Sequence, residues 1–224
     1  DLYKERHLHV RPSEAAPIEV TLHKTDVFEE LNKKVDAFQP DLLAVSATED
    51  LFLYGIELLG KIKNKGDAVT IVGGMFATFA PQKAIKYPEI DVLCVGEGER
   101  PLAELCRRIQ EGRSYTDISN LWVKHDGQVI KNPLGPAFRI DDVPLMDLDM
   151  FEEARFYRPF EGRMYKTVPV ETHRGCPYTC AYCNSPNQSS LYGNVEGGSF
   201  FRLKSLHRVM DELKAYKERW GAEY

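Results

Sequence analysis

The feature that most constrains this chain is a couplet repeated through its first half: a short apolar run, a small-residue loop, then an amphipathic stretch. Leu42–Val45, Ala68–Val72 and Val92–Val95 are the apolar runs. Each is too short for a helix and lacks in-out alternation, as expected of strands buried on both faces. They run into Ser46-Ala47-Thr48, Gly73-Gly74 and Gly96-Glu97-Gly98-Glu99. Between them lie helical patterns. Thr25 or Asp26 caps a helix with Phe28, Leu31, Val35 and Phe38 on one face, and Pro40 ends it. Leu51–Lys65 turns Leu51, Leu58, Leu59 and Ile62 inward and breaks at Gly66-Asp67. Pro81 opens a short helix. Pro101 opens another, with Leu102, Leu105, Cys106 and Ile109 inward, which Gly112 closes. Ile18–Leu22 is a further β-rich run.

Strands alternating with helices require crossovers and a parallel sheet. Residues 1–112 are therefore expected to form a doubly wound α/β domain of Rossmann or flavodoxin type. Ligands of such sheets bind outside the carboxyl ends of the strands, where the three loops lie. Residues 113–165 differ. Leu121–Val123 and Gln128–Ile130 flank Asp126-Gly127, a hairpin signal, and Pro133, Gly135, Pro136 and Pro144 break up the rest. This stretch reads as a hairpin and linker. A third region, 166–224, offers Thr167–Thr172 as a strand despite Pro169, then a cysteine loop. Ser205 then caps a helix with Val209, Met210, Leu213 and Tyr216 inward.

The cysteine loop reads Thr172-His173-Arg174-Gly175-Cys176-Pro177-Tyr178-Thr179-Cys180-Ala181-Tyr182-Cys183-Asn184. Three thiolates spaced C-x3-C-x2-C suit three corners of a [4Fe–4S] cluster, which leaves one iron without a nearby cysteine. Cys94 sits in an expected strand, and Cys106 on the inward face of an expected helix. Zinc held by the three cysteines and His173 is the alternative, although zinc sets are usually built from two separated ligand pairs. A cluster that only carries electrons would want a fourth cysteine.

This string resembles the signature of the radical S-adenosylmethionine superfamily, including the Arg-Gly-Cys-Pro lead-in and Tyr182 before the last cysteine. The resemblance implies that the strand before the loop is the first of a partial (β/α)6 barrel. It implies Cys176, Cys180 and Cys183 as ligands of a [4Fe–4S] cluster. S-adenosylmethionine would bind on the open iron with Tyr182 near its adenine, and its reductive cleavage would give a 5′-deoxyadenosyl radical. The Ser-x-Thr loop at Ser46 and Thr48, Val72-Gly73-Gly74-Met75-Phe76-Ala77-Thr78 and Val95-Gly96-Glu97-Gly98-Glu99 resemble the loops of cobalamin-binding domains. Ser46, Thr48, Gly73, Gly74, Gly96, Glu97 and Gly98 are the implied cobalamin contacts. The hairpin and Leu145-Met146-Asp147 complete a likeness to cobalamin-dependent radical enzymes. An Asp-x-His-x-x-Gly motif for a lower cobalt ligand is absent, and His7, His9 and His23 lack its context. The resemblance implies methyl transfer or a related radical modification, a small-molecule substrate and a reductant such as flavodoxin or ferredoxin.

Composition narrows the classes further. The 224 residues include 29 basic and 34 acidic side chains, a net charge of −5, so no basic footprint points to nucleic acid. No apolar run approaches the roughly 20 residues of a membrane helix, and no basic-then-apolar leader is present. The five cysteines form no regular disulfide framework, so a cytoplasmic protein is expected. The region from Lys166 to Tyr224 supplies one strand, the loop and one helix, too little for a barrel. The chain is thus expected to be a fragment of a longer enzyme.

Overall fold

The computed structural model describes residues 25–195 and 199–224. The Ile18–Leu22 run and His7, His9 and His23 lie outside the described residues. Two compact units emerge: one of Thr25–Phe138 with a short segment beginning at Ser190, the other of Arg139–Ser189 with Ser199–Tyr224.

The first unit holds one five-stranded sheet. Its elements are α1 (Val27–Phe38), β1 (Leu42–Ser46), α2 (Glu49–Gly60), β2 (Val69–Gly73), α3 (Met75–Phe79), α4 (Pro81–Ala84), β3 (Val92–Cys94), α5 (Glu99–Gln110), β4 (Leu121–His125) and β5 (Gln128–Lys131). The strand order is β1-β2-β3-β4-β5, with β1, β2 and β3 parallel and β4 and β5 antiparallel. β2 and β3 are buried on both faces, as their continuous apolar runs require, whereas β1 keeps Ala44 and Ser46 exposed. Val72 and Leu93 pack with Phe52, Ile56 and Leu59 of α2 and with Ala77 and Ala84. Their neighbours Ile71, Val92 and Cys94 face the opposite way, onto Leu105 of α5. Helices thus cover both faces, but among the described residues the strand order never reverses, as a doubly wound sheet would require. The hairpin assigned to a separate stretch after Gly112 belongs to this sheet. Leu121–Val123 pairs with β3, and Asp126 and Gly127 both take positive φ, the twist-matching turn of a two-residue hairpin.

Side-chain competition moves several helical faces. Asp26 caps α1 by accepting the N–H groups of Phe28 and Glu29. Val35 is buried, but Phe38 is 81% exposed, against expectation. α2 stops at Gly60 because Asn32 of α1 intercepts the backbone: its Nδ2 donates to Lys61 O and its Oδ1 accepts Lys63 N–H. The same helix buries Phe52 rather than Leu51, since Phe52 stacks on Phe76 and meets the edge of Tyr87. On α5 Leu105 is fully buried and Cys106, about 100° further round, is exposed. The inward placement expected for Cys106 is therefore wrong.

The second unit is built from short pieces. Three 3-10 turns, Ile140–Asp142, Leu148–Met150 and Glu153–Phe156, precede a hairpin of β6 (Tyr157–Phe160) and β7 (Arg163–Lys166). Its turn, Glu161-Gly162, also has two positive φ values, and sequence reading missed it inside the supposed linker. Then come β8 (His173–Arg174), α6 (Ser185–Gly193), β9 (Arg202–Leu203) and α7 (Leu206–Trp220), with β8 antiparallel to β9. Residues 167–172, expected as a strand, carry no ladder of that kind, and Pro169 has no N–H to give. Their backbone is still used. Tyr224 N–H donates to Lys166 O and Val168 N–H donates to Tyr224 O, the bonding pattern of a parallel pair. Ser205 caps α7 as expected. The buried face of α7 is Glu212 and Tyr216 rather than Met210 and Leu213, because Lys204 Nζ holds both Glu212 oxygens at 2.9 Å in the interior. A buried charge is stable there only with its partner.

One close approach organises the edge of the sheet at the carboxyl ends of β1 and β2. Gly74 has φ +98°, and a Cβ on it would lie 2.3 Å from Ala47 O. Gly74→Ala should therefore destabilise the first unit by roughly 2–4 kcal/mol, from overpacking and the left-handed backbone together. Urea unfolding measures this; a wild-type midpoint would contradict the contact.

Candidate functional site

Parallel register brings the first two strand-end loops together. Ser46 is level with Gly73, and Ala47 N–H donates to Gly73 O at 3.2 Å. Ala47 is buried between the loops, while Ser46 and Thr48 are exposed. The Thr48 hydroxyl donates to Asp50 Oδ1, which holds that carboxyl below its ordinary pKa. Thr78 joins the second loop to the third: its hydroxyl donates to Gly74 O at 2.9 Å and accepts Gly96 N–H at 3.0 Å. All seven residues expected to contact cobalamin thus lie on the three loops at the carboxyl ends of β1, β2 and β3.

The third loop is held from within. Asn120, buried with φ +71°, donates from Nδ2 to Val95 O at 2.9 Å and accepts Gly135 N–H at 2.8 Å. Glu97 accepts Phe138 N–H on Oε2 at 2.9 Å, so its carboxylate serves the fold. Glu97 N–H donates to the Tyr192 hydroxyl at 2.7 Å. A cleft of about 250 Å³ beside this loop is lined by Glu97, Arg100, Ser119, Asn120, Phe138 and Tyr192, among others. Sequence reading missed Asn120 and Tyr192, and quoted Thr78 without a role. Single polar residues far apart in sequence carry no periodic signal.

The glycines divide into two kinds. Gly74 and Gly96 have positive φ, and a Cβ on either would collide with the chain itself. Gly73 and Gly98 do not. A Cβ on Gly73 would sit 3.5 Å from Cys94 Cβ, and one on Gly98 3.8 Å from Cys94 Sγ, both ordinary contacts. Neither internal packing nor backbone conformation demands glycine at 73 or 98. A ligand lying against the backbone there would, so this edge fits a bulky cofactor.

In the second unit Arg174 grips Glu171 with two bonds, Nε to Oε1 at 2.8 Å and Nη2 to Oε2 at 3.1 Å, and so draws the Glu171 carboxyl below its usual pKa. The next residue, Gly175, passes against Phe200 O. From this anchor the loop carries Cys176, half-buried, then Cys180 and Cys183, both exposed. Cys183 N–H donates to Cys180 O at 3.1 Å, so one turn carries the last two thiols. The Ser185 hydroxyl and N–H hold the Cys183 thiol below its ordinary pKa. None of the three cysteines is in a disulfide. Tyr182 is 94% exposed. Among the described residues no three His, Cys, Asp or Glu side chains converge closely enough to hold a metal ion. His173 meets Thr172 Oγ1 and the Phe201 ring. The donor chemistry fits iron–sulfur ligation: three free thiols, two of them exposed and on one turn, on one connection between β8 and α6.

Comparison with known proteins bears on both units. Residues 12–106 match the model of the B12 binding domain. An uncharacterized methyltransferase of Pyrococcus horikoshii is 30% identical over 201 residues, covering 87% of this chain and 40% of that protein. The cobalamin-dependent radical SAM methyltransferase TokK of Streptomyces tokunonensis is 28% identical over 150 residues, 65% of this chain and 22% of its own. Among solved structures, the cobalamin-dependent S-adenosylmethionine radical enzyme OxsB, with aqua-cobalamin and S-adenosylmethionine bound, shares the fold. It has a TM-score of 0.63 and 19% identity, and the match covers 88% of this chain and 26% of that one. The chain thus spans less than half the length of these relatives. Among the described residues no helix is long and apolar enough to cross a membrane.

The cysteines differ sharply in reactivity. Burial, with a smaller contribution from Glu99, pushes the Cys94 thiol up to about 12. The thiolate is the nucleophile, so at pH 8 folded Cys94 is protonated and inert. Iodoacetamide at pH 8 should alkylate Cys106, Cys180 and Cys183 and spare Cys94 until the protein is unfolded. Peptide mass spectrometry reads this directly, and early labelling of Cys94 would contradict its burial.

Proposed function

Because the chain fits the B12-binding subgroup of the radical S-adenosylmethionine proteins, we propose that it forms part of a cobalamin-dependent radical enzyme that transfers a methyl group or makes a related radical modification. The observation that carries the reading is the loop Cys176–Cys183, with three free thiols, two of them exposed and one half-buried, and no fourth cysteine beside them in sequence. Cys176, Cys180 and Cys183 would hold three irons of a [4Fe–4S] cluster, leaving one iron for S-adenosylmethionine. Such a cluster supplies the electron that cleaves S-adenosylmethionine. Tyr182 would lie along the adenine. Ser46, Thr48, Gly73 and Gly98 would line the cobalamin edge, with Gly74, Gly96 and Glu97 holding its shape. The parallel pairing of Tyr224 with Lys166–Val168, across α7, supports a β-α-β start to a barrel. A small-molecule substrate and a flavodoxin- or ferredoxin-like electron donor complete the proposal.

Two measurements on the full-length protein test the two cofactors separately. After anaerobic reconstitution, the EPR signal of the reduced cluster should change when S-adenosylmethionine is added, and Cys183→Ala should lower the iron bound. An unchanged signal, or zinc in place of iron and sulfide, would sink the radical reading and favour a metal-holding module without catalysis. For cobalamin, Gly73→Ala should fold like wild type, since its Cβ has room. It should nevertheless bind hydroxocobalamin roughly tenfold more weakly, about 1.4 kcal/mol. Equal binding would remove Gly73 from the site.

A further inference from the structure

The Gly96–Gly98 loop is held by groups from four parts of its unit, and one of them stands apart in sequence. Thr78, Asn120 and Phe138 come from the α/β domain itself. Tyr192 comes from the far end of α6, the helix that begins two residues after Cys183. Its side chain is 4% exposed. Its hydroxyl accepts Glu97 N–H at 2.7 Å and occupies the space beside Gly96, where a Cβ would lie 2.7 Å from Tyr192 Oη and 2.8 Å from Leu134 Cδ1. The Glu97 amide, two residues before α5, is thereby met by a residue of the same unit that follows the cysteine loop in sequence.

We propose that Tyr192 is a positioning residue for cobalamin: its hydroxyl fixes the Gly96–Gly98 loop in the form that accepts the cofactor. This deepens the cobalamin reading and rests on it. The hydroxyl accepts a backbone N–H of the loop, so it acts through the loop. Glu97 is the point of action, since its N–H meets Tyr192 and its carboxylate meets Phe138 N–H. Losing the hydroxyl removes this part-buried bond to Glu97 N–H and loosens the loop, while the ring of Tyr192→Phe still fills the interior.

The test uses the full-length protein and a control that loses a comparable bond elsewhere. Tyr216 is likewise 4% exposed, and its hydroxyl accepts Met146 N–H at 3.3 Å in the other unit. Tyr192→Phe should raise amide exchange at Glu97 in the cobalamin-free protein and weaken hydroxocobalamin binding about fivefold. At saturating cofactor the visible circular dichroism of the corrin should also change. Tyr216→Phe should alter none of these. Unchanged exchange at Glu97, or an equal loss of affinity in both variants, would overturn the proposal. Wild-type protein that takes up no hydroxocobalamin would overturn the cobalamin reading instead, and the exchange measurement would still decide whether Tyr192 holds the loop.

Discussion

The backbone contact between Ala47 and Gly74 is the constraint on which the carboxyl-end edge of the sheet depends. Parallel pairing of β1 with β2 sets Ser46 beside Gly73. The chain must then leave both strands on the same side within a residue of each other. Only a glycine with positive φ at 74 lets the second loop pass under Ala47 O. Once that crossing is fixed, Gly74 O meets Thr78, and the Thr78 hydroxyl reaches on to Gly96 N–H. Three loops from three strands become one connected edge. The apolar layers beneath give it a rigid base, with Val72 and Leu93 on one face and Ile71, Val92 and Cys94 on the other.

That edge separates two reasons for being glycine. At 74 and 96 the reason is internal, and at 73 and 98 the chain gives none. The cysteine loop shows a similar division of labour. The Arg174–Glu171 fork and the approach of Gly175 to Phe200 anchor the start of the loop, and the thiols of Cys180 and Cys183 beyond stay exposed. The buried ion pair of Lys204 and Glu212 lies in the same unit. It anchors α7 at its charged centre, and Tyr216 and Trp220 pack one and two turns further along.

Much of this was legible in the sequence. Short apolar runs ending in small residues placed β1, β2 and β3 to within a residue, and Asp-Gly placed the β4–β5 turn. The cysteine spacing put the thiols on one connection. What stayed hidden depended on partners distant in sequence. Asn32 shortens α2 by capturing backbone near Lys61. Lys204 draws Glu212 inward and turns α7 away from the apolar face its pattern suggests. Phe52 displaces Leu51 because two aromatic rings await it. Glu161-Gly162 lacks the usual turn pair, although Glu161 takes positive φ. Asn120 and Tyr192 act as single hydrogen-bonding residues, which no periodicity announces.

The central claim is that Cys176, Cys180 and Cys183 hold a cluster with one iron left for S-adenosylmethionine. Mössbauer spectroscopy of the anaerobically reconstituted full-length protein, enriched in iron-57, tests it most directly. The account predicts that one iron site in four changes its isomer shift when S-adenosylmethionine is added, while the other three keep theirs. Four sites that all stay unchanged would contradict it.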